Sequence, residues 1–188
     1  MNTKWIPVSA ATLALLAVWW LLPSGRAAAP DTSPAASEDQ ARIYPSPNLQ
    51  GRVELSAANW KALLSPEEFR ILRREGTERS FSGDFWAHKD TGTYVCAGCG
   101  LGLFSSDFKF KSGTGWPSYW APLNDSAIAT RVDKTLGTTR TEVHCSRCGG
   151  HQGHVFQDGP PPSGLRYCIN SAALDFVAGG DVPQPEAE

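Results

Sequence analysis

The chain has 188 residues, of which 41% are hydrophobic, and its formal net charge is −2. This length suits one domain with short appendages, and the apolar fraction is sufficient for a packed core without disulfides. Because the charge is near balance and no run of Lys or Arg occurs, nucleic acid is not expected as a partner.

Residues 1–29 are predicted to be a signal peptide or a membrane anchor. Lys4 precedes the apolar stretch Ile6–Leu22, and small residues follow it, which is the layout of an export signal. The stretch of 17 residues also reaches the lower limit for spanning a bilayer. We therefore expect export to a periplasmic or other extracytoplasmic location. Cleavage of the segment and its retention as an anchor in the inner membrane both stay open.

Residues 30–50 are rich in Ala, Pro and Ser and lack an apolar periodicity, which is typical of a flexible tether. Residues 179–188 are acidic and proline-containing and are predicted to be a disordered tail. One folded domain, expected to be monomeric, is predicted between them over residues 51–178.

Two short helices are predicted at the start of this domain. Ser56 can cap a helix that places Trp60, Leu63 and Leu64 on one side. The segment Ser65–Glu68 supplies an N-cap, a first-turn proline and the glutamate of a capping box. Phe69 and Leu72 follow at helical spacing, and Gly76 is expected to end the second helix.

The rest of the domain is predicted to be mainly antiparallel β-structure. Short β-prone runs bounded by Gly, Pro, Asn or Asp are typical of strands in such folds. The runs are Thr93–Val95, Leu101–Phe104, Thr141–Val143 and Leu165–Ile169.

Four of the five cysteines form two Cys-x-x-Cys pairs, Cys96 with Cys99 and Cys145 with Cys148. Each pair can wrap two thiolates around one side of a tetrahedral ion, so the two pairs together predict a structural zinc site with no position left for substrate. Disulfides or a redox Cys-x-x-Cys are the alternative, which export makes more plausible.

Cys168 is left unmatched on a predicted strand, with Arg166, Tyr167 and Asn170 among its neighbours. A lone cysteine on an apolar strand is usually an inert core residue, but a nearby cation or imidazolium would favour its reactive thiolate. His151 and His154, which the pattern places around a tight glycine turn, are the candidate partners of a Cys/His pair. The segment Ser112–Trp120 is either a core turn or the wall of a pocket for a small apolar group.

Together these motifs resemble the methionine-R-sulfoxide reductase B family, over about residues 60–176. The segments that carry the resemblance are Leu64–Glu67, Gly76–Glu78, Cys96–Gly100, Ser112–Ser118, Cys145–Cys148, His151–Pro160 and Gly164–Ser171. The resemblance implies a compact, tent-like fold of two antiparallel β-sheets, with zinc away from the reaction. It also implies an oxidoreductase that repairs proteins after oxidative stress, by reducing the R epimer of methionine sulfoxide in proteins and in free or peptide forms.

The resemblance assigns roles to single residues. Cys168 resembles the catalytic cysteine, which attacks the sulfoxide sulfur as a thiolate and becomes a sulfenic acid. His151 and His154 resemble the histidines that position and protonate the sulfoxide oxygen. Asn170 resembles a residue that orients this network, and Trp116 resembles one that receives the methyl group.

Three positions depart from the common pattern of the family. Thr114 stands where many members have a resolving cysteine, so a thioredoxin-like protein or another external thiol is the expected reductant. Gln152 replaces a common leucine, and Gly137–Arg140 lacks the usual methionine. Two other functions stay open at this point, a non-enzymatic zinc-stabilised binding module and a thiol-disulfide oxidoreductase that works through its Cys-x-x-Cys pairs.

Overall fold

The computed structural model describes residues 51–179. The predicted signal or anchor, the tether and all but the first residue of the predicted tail lie outside this range. Within it, no helix combines the length and apolarity that crossing a membrane requires.

Two helices open the described chain, α1 (Ala57–Leu63) and α2 (Pro66–Arg74). The Ser56 side chain accepts a hydrogen bond from the backbone of Asn59, and Ser65 and Glu68 form the predicted capping box. Each such cap stabilises a helix by about 1 kcal/mol. These caps confirm both predicted helix starts.

Two details of the helix prediction are wrong. Leu63 does not share the buried face of Trp60 but is 44% exposed. Helix α2 ends on Glu75, which takes the left-handed conformation at φ 54°, and not on Gly76. Gly76 still closes the end, because its N–H donates to the carbonyl of Arg70.

The remaining structure is two antiparallel β-sheets, as expected. The three-stranded sheet has the order β2-β1-β8. Its strands are β1 (Gly92–Cys96), β2 (Gly102–Ser105) and β8 (Leu174–Ala178). The five-stranded sheet has the order β3-β7-β6-β5-β4. Its strands are β3 (Ser118–Tyr119), β4 (Ile128–Asp133), β5 (Arg140–Cys145), β6 (His151–Phe156) and β7 (Arg166–Ile169).

The core lies between the two sheets. Tyr119 of the larger sheet stacks on Phe104 of the smaller one, with ring centroids 4.4 Å apart, and meets Tyr94 edge-on at 5.2 Å. All three rings are fully buried. This aromatic contact fixes the smaller sheet against the strands that carry the candidate site.

Candidate functional site

A single row of side chains crosses the five-stranded sheet. Directly paired residues run from Ser118 through Cys168, His154 and Glu142 to Arg131. Residues directly opposite one another in antiparallel strands project from the same face. The sheet therefore brings the predicted nucleophile and one predicted histidine side by side.

A register shift brings the second histidine to the same face. Val143 pairs with Gly153 and the next residue, His144, pairs with His151, so β6 has one extra residue, Gln152, as in a β-bulge. In a regular strand, residues three apart would project from opposite faces. Here the rings of His151 and His154 lie 5.6 Å apart.

The tight turn predicted between the two histidines is therefore wrong, because His151–Phe156 is a strand. Gly153 is needed there for a different reason. A Cβ at this position would lie 2.0 Å from the carbonyl oxygen of Cys168, so only glycine lets β6 approach β7 so closely.

Each histidine is held by a carboxylate. The Nδ1 atom of His151 lies 2.5 Å from Oε1 of Glu142, and the Nε2 atom of His154 lies 2.8 Å from Oδ2 of Asp133. Both carboxylates are tied in turn to guanidinium groups, Glu142 to Arg131 at 2.7 Å and Asp133 to Arg140 at 2.6 Å. These pairs fix the ring orientation and the tautomer of both imidazoles.

The pKa values follow from these contacts. Hydrogen bonds from the hydroxyl and backbone N–H of Thr135, and then from His154 and Arg140, hold the pKa of Asp133 well below its usual range. Burial raises the pKa of Glu142, but its bonds to Arg131 and His151 outweigh this and lower it. Burial lowers the pKa of His151, although Glu142 acts in the opposite direction. His151 is therefore neutral near pH 7, beside the ionised carboxylate of Glu142.

The thiol of Cys168 is under two opposing influences. Burial raises its pKa, while the guanidinium of Arg166 and the hydroxyl of Thr114, 4.0 Å from the sulfur, lower it. Burial is the larger effect, so the cation that the sequence placed beside Cys168 only partly offsets desolvation. Arg166 is itself fixed by two bonds to Asp158, of 2.9 and 2.8 Å, and lies over the ring of Phe156.

Asn170 and Trp116 are linked through the buried residue Glu78. The Oδ1 atom of Asn170 accepts from the backbone N–H of Glu78 at 3.0 Å, and Nε1 of Trp116 donates to the Glu78 carbonyl at 3.2 Å. The Glu78 carboxylate accepts the backbone N–H groups of Ser171 and Ala172, at 2.7 and 2.9 Å. Trp116 also lines a cavity of about 540 Å³, so this segment forms a pocket wall.

The other four cysteines form a buried cluster in which all sulfur atoms lie within 4.8 Å of one another. Cys96 and Cys148 are 3.7 Å apart, and Cys99 and Cys145 are 3.5 Å apart. These separations match the edges, about 3.8 Å, of a tetrahedron of thiolates around an ion at about 2.3 Å. All five cysteines are free thiols, so the disulfide alternative is not the arrangement present. The cluster can hold a metal ion.

Gln152 connects this cluster to the candidate active site. Its Nε2 atom donates to the sulfur of Cys96 at 3.5 Å and to the carbonyl of Gly150 at 3.3 Å. The backbone carbonyl of Gln152 accepts hydrogen bonds from the backbone N–H and from Nδ2 of Asn170, both at 2.9 Å. Gln152, at the position where leucine is common, therefore places a hydrogen-bond donor against one sulfur of the four-cysteine cluster.

Sequence reasoning missed the charged residues around the site. Glu142, Asp133 and Glu78 lie 26, 35 and 90 positions before Cys168, and no local pattern links them to it. Burial of these carboxylates could have identified them, because a carboxylate is rarely buried unless it is paired. Their burial cannot be read from the sequence, however, unless the strand register is known.

Comparisons with known proteins place the chain among related sequences. A family model described as the SelR domain matches residues 64–178. The chain is similar to a protein from Thiobacillus denitrificans, with 61% identity over 119 residues, covering 63% of this chain and 90% of the relative. Relatives from Leptospira interrogans and a Synechococcus strain each show 56% identity over 124 residues. Each of these two alignments covers 66% of this chain, and they cover 95% of the Leptospira relative and 91% of the Synechococcus relative. All three relatives are named peptide methionine sulfoxide reductase MsrB.

Proposed function

Because the chain belongs to the MsrB family of SelR-domain proteins, it is an oxidoreductase that acts on sulfur, and we propose that it reduces the R epimer of methionine sulfoxide in proteins to methionine. The resemblance to the methionine-R-sulfoxide reductase B family supports the choice of epimer. Free and peptide-bound forms are substrates of the same site.

One observation supports this proposal most directly. The cysteine outside the metal cluster is the direct cross-strand neighbour of a buried histidine that contacts a carboxylate. Reduction of a sulfoxide needs a soft nucleophile at sulfur and a proton donor at oxygen. Cys168 and His154 are residue types that meet these two needs on adjacent strands.

In the proposed reaction, the thiol proton of Cys168 passes to His154, and the ionised Asp133 stabilises the resulting imidazolium. The thiolate sulfur then attacks the sulfoxide sulfur and forms an S–S bond, while the imidazolium gives the proton to the sulfoxide oxygen. The resulting hydroxyl moves from the substrate sulfur to the Cys168 sulfur, so that the S–O bond of the substrate and the S–S bond both break and Cys168 becomes a sulfenic acid. The substrate sulfur gains two electrons and leaves as methionine, and the Cys168 sulfur loses two.

The neighbouring residues position the substrate. His151, neutral and held by Glu142, directs its Nε2 atom to the polar end of the substrate. This buried atom has no hydrogen-bond partner within the described residues. Asn170 orients the strand end that carries Cys168, and the indole of Trp116 receives the methyl group.

An external thiol returns the enzyme to its reduced state. Thr114 stands where a resolving cysteine would serve, with its hydroxyl 4.0 Å from the Cys168 sulfur, and the remaining cysteines belong to the buried cluster. A thioredoxin-like protein or another thiol therefore attacks the sulfenic acid, releases water and forms a mixed disulfide with Cys168. A second thiol of the reductant then releases Cys168 and leaves the reductant as a disulfide.

The metal of the cluster is proposed to be one zinc ion with a structural role. Four thiolates complete its coordination, so Cys96, Cys99, Cys145 and Cys148 leave no position for substrate. Zinc supplies rigidity here and takes no part in the proton transfers.

The location proposed for the domain is outside the cytoplasm, exported by residues 1–29, which are either cleaved or kept as an anchor in the inner membrane. A reporter fused after residue 50 tests this point. Activity confined to an extracytoplasmic reporter is expected, and activity confined to a cytoplasmic one would contradict it.

The experiment that tests the function compares the two sulfoxide epimers of N-acetylmethionine in a turnover assay with dithiothreitol. We expect turnover of the R epimer, little turnover of the S epimer, and no turnover with the Cys168→Ser variant. Equal turnover of both epimers would contradict the stereospecificity, and full activity of a folded Cys168→Ser variant would contradict the mechanism.

A further inference from the structure

A cavity of about 540 Å³ adjoins the candidate active site on the side of Trp116. Ser112, Gly113, Gly115 and Trp116 line it, and the residue inside the same turn, Thr114, lies 4.0 Å from the Cys168 sulfur. Any polypeptide that brings a methionine sulfoxide to the Cys168 sulfur must therefore come close to this turn. The proposed reaction itself needs only the sulfoxide, its methyl group and the proton donor, so this cavity is available for another purpose.

Two aromatic rings stand at the rim of the cavity. Phe81 is 56% exposed and Trp86 is 40% exposed, and their rings meet edge-on with centroids 5.2 Å apart. Phe81 has φ 63°, a conformation that is rare for a bulky side chain. Its backbone N–H donates to the carbonyl of Gly115 at 2.8 Å, and the Ser80 hydroxyl donates to that of Thr114 at 2.7 Å. The strained backbone that carries the exposed Phe81 ring is therefore held to the turn beside Cys168.

The wall of the cavity carries a positive charge. Its lining includes three lysines, Lys89, Lys109 and Lys111, and one acidic residue, Asp90. The ammonium of Lys109 donates to the carbonyls of Trp86 and His88, at 3.3 and 2.8 Å, and so holds in place the segment that carries the Trp86 ring. Lys89 and Lys111 are exposed. Aromatic rings beside ammonium groups suit a ligand with an apolar part and a carboxylate.

We propose that this cavity binds the polypeptide of the substrate beside the methionine sulfoxide, and favours an aromatic or large apolar residue together with an acidic one. This inference rests on the proposed function, because it assigns the flanking sequence that the same active site selects. Phe81 and Trp86 contact the apolar residue, and Lys89 and Lys111 attract the carboxylate. The enzyme thereby prefers oxidised methionines in apolar, acidic stretches of protein.

The test compares kcat/KM for three substrates with dithiothreitol as reductant. The first two are peptides of equal length with one methionine-R-sulfoxide, flanked on both sides by Phe and Glu or by Ser and Lys. The third is N-acetylmethionine-R-sulfoxide. We expect the Phe/Glu peptide to be preferred over the Ser/Lys peptide by about tenfold.

Phe81→Asn, which tolerates a positive φ, and the double variant Lys89→Glu with Lys111→Glu should each remove most of this preference. The control Lys61→Glu, on the exposed surface of α1, should keep it. Thermal melting establishes that each variant is folded.

Three results would overturn the inference. Equal kcat/KM for both peptides in the unmodified enzyme would show that the cavity does not select sequence. An equal fall for all three substrates in Phe81→Asn would assign the ring to structure alone. A defect confined to recycling by a protein reductant, with normal single-turnover reduction of the Phe/Glu peptide, would make the cavity a reductant site. Absence of turnover with N-acetylmethionine-R-sulfoxide as well would instead refute the proposed function, and this inference with it.

Discussion

At the scale of single residues, the reactivity of Cys168 depends on a balance between burial and charge. Burial raises the pKa of its thiol, and the guanidinium of Arg166 lowers it. The thiolate is the form that reacts with electrophiles. The substrate-free protein therefore holds Cys168 mostly as a thiol near neutral pH, and in the proposed reaction this proton is transferred when the sulfoxide binds.

We expect alkylation of Cys168 by iodoacetamide to increase with pH and to reach its half-maximum at a higher pH than free cysteine does. In Arg166→Ala the pKa of Cys168 rises further, so alkylation at pH 7 falls by on the order of tenfold per pKa unit. Arg166→Lys, which keeps the positive charge, is the control. Mass spectrometry of the Cys168 peptide measures the rates, and a half-maximum below that of free cysteine would contradict the account.

Glu142→Gln tests the role of the carboxylate that holds His151. Glu142 raises the pKa of His151 against the effect of burial. Its loss should therefore move the His151 limb of the pH–rate profile to lower pH and reduce kcat by roughly tenfold or more. Glu75→Gln is the matched control, since Glu75 contacts the same Arg131 but not His151. An unshifted profile in Glu142→Gln would exclude this role.

Cys168 and both histidines could be proposed from the sequence, because Cys168 lies outside the two Cys-x-x-Cys pairs and imidazoles are common partners of a reactive thiol. The sequence did not lead to Glu142 or Asp133, since their contacts depend on the register of β4, β5 and β6. It also could not weigh the charge of Arg166 against the burial of Cys168, because the extent of burial is a property of the folded chain.

At the scale of elements, strand β6 is the feature on which the site depends. Its extra residue turns His151 to the face of His154, and Gly153 lets it approach the backbone of Cys168. This close approach fixes the distance between β7, which carries Cys168, and β6, which carries the two histidines. A side chain at position 153 would force these two strands apart.

Gly153→Ala should destabilise the fold by about 3 kcal/mol, in the upper range for an overpacked core, and should abolish most turnover. Gly98→Ala is the control, because a Cβ there would meet nothing closer than 3.5 Å. Urea denaturation followed by tryptophan fluorescence gives the free energy of unfolding. A Gly153→Ala variant as stable as Gly98→Ala would show that the close approach does not matter.

The helices were predictable because caps and a first-turn proline mark their ends within a few residues. The strands were less so. Strands β1, β2, β5 and β7 follow β-prone runs, but β6 contains His-Gln-Gly-His, whose glycine suggested a turn. Strand β4 is mostly exposed, so its residues carry no strong apolar alternation.

At the scale of the whole molecule, the four-cysteine cluster joins the two sheets. Cys96 ends β1 of the smaller sheet, and Cys145 ends β5 of the larger one. The aromatic contact between Tyr119 and Phe104 holds the same sheets together elsewhere. A metal ion bound by the four cysteines would therefore tie the two sheets together at a second place.

Removing the proposed metal should lower the free energy of unfolding of the whole domain, because a structural ion contributes folding free energy directly. We expect a strong chelator, or Cys145→Ser, to remove one zinc per chain and to lower Tm by about 10 °C or more. Cys168→Ser, outside the cluster, should keep both zinc and Tm. Metal analysis with calorimetry measures the two quantities together, and fully stable protein without zinc would contradict the structural role.

The central claim is that Cys168 accepts the oxygen of the sulfoxide, and a single turnover tests it most directly. Reduced enzyme is mixed with one equivalent of N-acetylmethionine-R-sulfoxide without a reductant and is then analysed by intact-mass and peptide mass spectrometry. We predict one N-acetylmethionine per enzyme, the mass of one added oxygen on Cys168, trapping by a sulfenic-acid reagent, and four unmodified cluster cysteines. Formation of the product with an unmodified Cys168, or with oxidation at Cys96, Cys99, Cys145 or Cys148, would contradict it.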